Sequence, residues 1–175
     1  SRVVAVADID TKRLDYIADL YPGIGVTTEY REILRNDAVK AVVVSTPVHN
    51  HAKITIEALE AGKHVLVEKP MASSAAECEA MIAAAKKAKR VLMVGHTFEF
   101  TDPVRRMKAI LDEGMLGRLY YVNSQRLNLG LFRNDVNVVW DLAPHDLAIM
   151  FYVLGRKPRA VVATGSAHVK PEMED

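Results

Sequence analysis

Short runs of consecutive apolar residues recur along this chain, and each stops at a polar residue or a proline. Val3-Val4-Ala5-Val6-Ala7 ends at Asp8, Ala41-Val42-Val43-Val44 at Ser45-Thr46-Pro47, His64-Val65-Leu66-Val67 at Glu68-Lys69-Pro70, and Val91-Leu92-Met93-Val94-Gly95 at His96-Thr97. A strand buried on both faces reads this way, because neither side needs the polar half of an alternating pattern. Between the runs, apolar residues return at helical spacing. Leu14, Ile17 and Ala18 predict a helix over 11–20, Val26-Thr27 a short strand, and further helices follow over about 29–35 and 51–61, the last stopping at Gly62. Ser74-Ala75-Ala76-Glu77 has the spacing of a capping box, opening a helix that buries Cys78, Met81, Ile82 and Ala85 on one face. Asp102-Pro103 supplies an N-cap and a first-turn proline for a helix running to Glu113-Gly114.

Strands buried on both faces alternating with helices define an α/β fold with a Rossmann-like, doubly wound parallel sheet. From Gly117 the pattern changes to a longer strand with interspersed polar residues at 118–127, a loop around 128–130, a helix at Val138–Leu154 and a strand at 160–164. A domain boundary is therefore expected near residue 116, dividing 1–116 from 117–175. The second part holds too few strands to close a sheet of its own, so it reads as the start of a domain, and Pro171-Glu172-Met173-Glu174-Asp175 reads as a cut or frayed end.

Composition narrows the partners. Half of the 175 residues are apolar, enough for a sizeable core. The 23 Lys and Arg nearly balance the 22 Asp and Glu, and they are scattered, so neither a nucleic-acid nor an anionic-membrane surface is expected. Cys78 is the single cysteine, which rules out an internal disulfide or a cysteine metal cluster and favours a reducing, cytoplasmic setting. No apolar run reaches the roughly 18 residues of a membrane span, and no metal is expected.

In an open parallel sheet, ligands bind beyond the carboxyl ends of the strands. Asp8, Ser45, Thr46, Pro47, Glu68 and His96 stand at those ends, with His51 opening the next helix. An acid there can accept ribose hydroxyls and repel a 2′-phosphate, which favours NAD over NADP; the competing reading makes Asp8 a cap for the helix at 11–20. The glycine-rich turn that should precede such an acid by about 20 residues is not found. Gly23-Ile24-Gly25 follows a helix and lacks a third glycine. The sequence is therefore expected to be a fragment that begins at the second strand of a dinucleotide fold.

Thr46-Pro47 through His51, Ala61-Gly62-Lys63-His64-Val65-Leu66-Val67-Glu68-Lys69-Pro70, Gly95-His96 and Trp140-Asp141-Leu142-Ala143-Pro144-His145-Asp146 together resemble the Gfo/Idh/MocA family of NAD(P)-dependent oxidoreductases. The resemblance implies a Rossmann domain followed by an α/β domain on a large, mostly antiparallel sheet, association into homo-oligomers at full length, and a sugar, sugar acid or nucleotide sugar as substrate. It also implies that Lys69 bonds the reacting oxygen, that His145 serves as acid or base, and that Asp141 belongs with them. Hydride removal from a carbinol carbon needs a base for the hydroxyl proton, and a histidine with an ordinary pKa of about 6.5 suits it. A lysine can stabilise the developing oxyanion. Solvated strand-end lysine and satisfied structural histidine are the plain alternatives; for Asp141 three readings stand open, a partner of His145, a substrate contact or a helix cap. If the helix runs from Val138, Pro144 interrupts it and Asp141 and His145 share a face; if it starts near Ala143, Asp141 precedes it. Arg126 and Asn128, in Gln125-Arg126-Leu127-Asn128-Leu129-Gly130, are candidate substrate contacts. A redox-neutral enzyme using retained NAD and a non-catalytic nucleotide-binding module are the competing functions. Pro70 is expected to stiffen the turn that aims Lys69, through a cis bond.

Overall fold

The computed structural model describes residues 2–127, 136–169, 171 and 174. The chain divides into two compact units, the first made of Ser1–Val67 and Met71–Met93, the second of Glu68–Pro70 and Val94–Asp175.

In the first unit, β1 (Ala5–Ala7), α1 (Thr11–Leu20), β2 (Gly25–Thr27), α2 (Tyr30–Arg35), β3 (Ala41–Val44), α3 (His51–Glu60), β4 (His64–Val67) and α4 (Ala75–Ala88) alternate as the apolar runs require. The last strand, β5 (Leu92–Val94), ends one residue into the second unit. β1 pairs parallel with β2, placing Ala5 opposite Gly25 and Ala7 opposite Thr27. β3 pairs parallel with β4, placing Val42 opposite Val65 and Val44 opposite Val67, and the order of this second sheet is β3-β4-β5. The expected parallel sheet is thus present as two ladders, with β1 and β3 each paired on one side. Val3, predicted within β1, lies outside the ladder and is exposed, because its partner strand is only three residues long.

The core of this unit lies where α3 and α4 pack together, and Ala58, Leu59, Val67 and Met81 are fully buried. Ile82, expected on the buried face of α4, is 44% exposed and Cys78 half-buried, so the packed stripe narrows to Met81 and Ala85. The capping box forms with an offset. Ser74 Oγ accepts from the Glu77 N–H at 3.2 Å, while the Glu77 carboxylate reaches one residue further back, to the Ser73 N–H at 2.9 Å. Lys63 is buried with its ammonium on the Asn36 carbonyl at 2.8 Å, so the charged head is hydrogen-bonded to the backbone.

In the second unit, α5 (Asp102–Asp112) follows a 3-10 turn at Thr97–Phe100, and α6 (Val138–Leu154) carries Pro144 inside it. The cap of α5 is Thr101 rather than Asp102. With Thr101 in that place the second helical residue is Pro103, which has no N–H to be capped, and the Thr101 hydroxyl donates instead to the Phe98 carbonyl at 2.7 Å. Asn137 caps α6, accepting from the Trp140 N–H at 2.9 Å. Glu174 completes that end: its carbonyl accepts from Val138 N–H at 3.1 Å and its carboxylate from Asn137 Nδ2 at 3.1 Å. The helix ends at Gly155 in the left-handed conformation, φ +63°.

The strands predicted at 118–127 and 160–164 do not form, and the sheets among the described residues are parallel. A strand exists through its ladder, and Tyr120, Tyr121, Val161 and Val162 are left exposed. No helix of the described residues is long and apolar enough to cross a membrane.

Thr55 is fully buried in α3 with its hydroxyl lacking a hydrogen-bond partner. Replacing it by an isosteric apolar residue removes an unsatisfied group, so Thr55→Val is expected to raise unfolding stability by about 1 kcal/mol. Leu59→Ala, at an equally buried position, is expected to lower it by about 2–5 kcal/mol. Urea denaturation midpoints check both, and a loss in Thr55→Val would show that the hydroxyl is satisfied.

Candidate functional site

Two groups of predicted site residues emerge, one in each unit. In the first unit, Asp8 leaves β1 with its backbone N–H on the Thr27 carbonyl at 3.2 Å. Its Oδ1 accepts from the Asp10 N–H at 2.9 Å, and its Oδ2 lies 3.5 Å from the Arg13 guanidinium. The cap of α1 is Asp10, which accepts from the Lys12 N–H, so Asp8 is left at the strand end with acceptor capacity for a ribose. Ser45, Thr46 and Pro47 follow β3 as an exposed turn. His51, proposed from sequence beside the cofactor, is only 2% exposed. Its Nε2 lies 2.7 Å from the Thr46 carbonyl, and because a carbonyl only accepts, Nε2 carries the proton. His51 therefore holds the Ser45-Thr46-Pro47 turn from beneath.

The second unit gathers Glu68, Lys69, His96, Arg126, Asp141 and His145. The peptide bond between Lys69 and Pro70 is cis, as the sequence led us to expect. Lys69 Nζ donates to Asp141 Oδ1 at 2.9 Å and to the Asp141 carbonyl at 3.0 Å, with both side chains one-fifth exposed. The Glu68 carboxylate packs on Gly95, where a Cβ would stand 3.0 Å from Glu68 Oε2. A side chain at this position would require the Glu68 carboxylate to give by a few tenths of an ångström, while the φ of Gly95 is not in the left-handed range.

Because α6 begins at Val138, Asp141 and His145 stand one turn apart on one face. The capping reading of Asp141 yields to Asn137. His145 Nδ1 is buried without a hydrogen-bond partner, as is His96 Nδ1. Burial lowers the His145 pKa below its ordinary value, the charges of Lys69 and Arg126 and the His96 ring push the same way, and Asp146 opposes them. The imidazole is thereby held neutral and able to accept a proton near neutral pH.

Asp146, Ser124 and Phe98 were not identified from sequence. Asp146 Oδ1 accepts from Ser124 Oγ at 2.8 Å and its Oδ2 from Arg126 Nε. Burial raises the Asp146 pKa, but these hydrogen bonds and the Arg126 charge outweigh it and hold the carboxyl below its usual range. The readable signal was the spacing of Ser124 and Arg126, two residues apart on one side of an extended segment. Asn128 lies outside the described residues. No group of three or more His, Cys, Asp or Glu among the described residues could hold a metal ion.

Residues 1–96 match the model of an oxidoreductase family with an NAD-binding Rossmann fold, and residues 104–175 match the GFO/IDH/MocA C-terminal domain. The chain belongs to the GFO/IDH/MocA oxidoreductase family. It is similar to 1-carboxy-3-chloro-3,4-dihydroxycyclohexa-1,5-diene dehydrogenase of Comamonas testosteroni, 34% identical over 85% of this chain and 40% of the relative. It is also similar to myo-inositol 2-dehydrogenase of Thermotoga maritima, 26% identical over 97% of this chain and 52% of the relative. Among solved structures, aldose-aldose oxidoreductase of Caulobacter crescentus, complexed with glycerol, superposes with a TM-score of 0.82 at 31% identity, covering 100% of this chain and 57% of that one. The chain spans about half the length of the curated relatives it matches.

His51→Ala removes the donor of the Thr46 carbonyl and leaves a cavity beneath the turn. A loss of about 2 kcal/mol in unfolding stability is expected. Chemical denaturation reads it, and an unchanged midpoint would show that His51 does not hold the turn.

Proposed function

We propose that the protein oxidises a secondary hydroxyl of a sugar, sugar acid or nucleotide sugar by hydride transfer to NAD. The observation that carries this reading is the Lys69 ammonium fixed on Asp141, with the neutral His145 imidazole one helical turn along the same face. Dehydrogenase names among the relatives support the reaction class.

The residues present fit NAD in part. Asp8 suits the ribose by its acceptor oxygens, and Ser45, Thr46 and Pro47 offer an exposed strand-end turn, with Glu68, Lys69 and His96 assigned to the nicotinamide end. The backbone cradle for the diphosphate is not supplied by the described residues, since Gly23-Ile24-Gly25 runs from the end of α1 into β2. We assign it to a glycine-rich turn that follows a further parallel strand, for which β1 and β3 each keep an unpaired edge. The functional division of the chain is then 1–116 for the dinucleotide and 117–175 for the substrate, the latter belonging to a domain with a mostly antiparallel sheet that also serves homo-oligomer formation. The compartment in this reading is the cytoplasm, consistent with a single unpaired cysteine.

When bound, NAD supplies the hydride acceptor. The carbinol carbon gives up a hydride as its hydroxyl gives up a proton, so oxidation leaves a carbonyl and one proton on the protein. His145 takes that proton. Two Lys69 ammonium protons are used on Asp141, and the third is assigned to the substrate oxygen, whose growing negative charge it stabilises. Asp141 sets the direction of that donor. Arg126 and Asn128 are assigned to further substrate hydroxyls.

In the intact protein, Lys69→Ala is expected to lower kcat by roughly 10²–10⁴-fold, more than it lowers NAD affinity. Wild-type kcat/KM should rise with pH through a limb below the ordinary histidine value, because the base works deprotonated, and His145→Ala should abolish that limb. Reduced-nicotinamide absorbance during turnover of a sugar panel reads all three; turnover unchanged in Lys69→Ala would overturn the assignment, and product without net absorbance would point to redox-neutral use of NAD.

A further inference from the structure

Resting on the reading of His145 as the base, we propose that Arg126 is a positioning residue for His145, in addition to any contact it makes with substrate. The geometry forms one continuous set of contacts. Asp146 takes Arg126 Nε on one carboxylate oxygen and Ser124 Oγ on the other, which fixes the guanidinium from the side of α6. The Arg126 guanidinium carbon stands 5.5 Å from the centre of the Phe98 ring. Phe98 in turn meets the His145 ring edge-on, with centroids 4.8 Å apart and planes at 80°. His145 has no hydrogen bond at Nδ1 to set its ring. Its orientation is therefore held by packing against Phe98, and Phe98 is held by the cation over its face.

The charged and titratable groups around the imidazole come from each neighbouring element. Lys69 follows β4, His96 follows β5, Arg126 lies in 118–127, and Asp141 and Asp146 lie on α6. Lys69 and Arg126 each have a carboxylate of their own, Asp141 and Asp146. Removing Arg126 takes one cation away from His145 and also releases Asp146 from its partner. Both changes favour the imidazolium, so the sign of the effect is fixed: the base becomes harder to deprotonate.

The test is the intact protein with Arg126→Met, Arg126→Lys and, as a control on the reading itself, His145→Ala. The readouts are the pH profile of kcat/KM and a cofactor-free NMR titration of the His145 ring. For Arg126→Met we expect the titration midpoint and the acid limb to move up together, by on the order of half a pH unit, with kcat reduced. Arg126→Lys keeps the charge and loses the planar contact on Phe98, so its midpoint should stay near the wild-type value while kcat still falls. An Arg126→Met variant with raised KM and an unmoved midpoint would overturn the proposal, leaving Arg126 a substrate contact only. A His145→Ala variant with full activity would instead overturn the reading on which it rests, whatever the midpoint does.

Discussion

The ion pair between Lys69 and Asp141 is the interaction on which the candidate site depends. A lysine with only one-fifth of its side chain exposed cannot stand without an anion or its equivalent, and Asp141 supplies both a carboxylate and a backbone carbonyl. The two acceptors restrict where the ammonium points, which a single contact would not do. Because Asp141 is fixed in the first turns of α6, the lysine inherits the geometry of that helix. His145 lies on the same helix, so one element sets the positions of the ammonium's partner and the imidazole.

Charge is arranged around this helix in matched pairs. Lys69 faces Asp141 and Arg126 faces Asp146, leaving the imidazole between two cations that are already neutralised. The result is an imidazole whose pKa is lowered chiefly by burial, with Lys69, Arg126 and His96 acting in the same direction.

Much of the fold was legible in the sequence because its elements are local. Four apolar runs became β1, β3, β4 and β5, and the helix expected at Val138–Leu154 has those bounds. Lys69, Asp141 and His145 were legible through their motifs, and they do lie together in one unit. The misreadings share a cause. The runs at 118–127 and 160–164 carry strand-like composition, but a strand is made by its neighbour, and hydrophobicity alone cannot say whether that neighbour is present. His51 was legible only as a helix-start histidine, which looks the same in sequence whether it faces a ligand or, as Nε2 does, the Thr46 carbonyl. Asp146 was overlooked because its partners, Ser124 and Arg126, lie 22 and 20 residues away. Ile82 shows the limit of helical spacing, which gives the direction of a face and not the width of its contact.

The start of α6 is finished by a residue far along the chain. Glu174 takes the Val138 amide and the Asn137 side chain, across 37 residues in the second case. A helix whose opening turn is closed from such a distance cannot be completed as it leaves the ribosome. The contacts that Glu174 makes at the opening of the helix carrying Asp141 and His145 therefore form only after residue 174 has emerged.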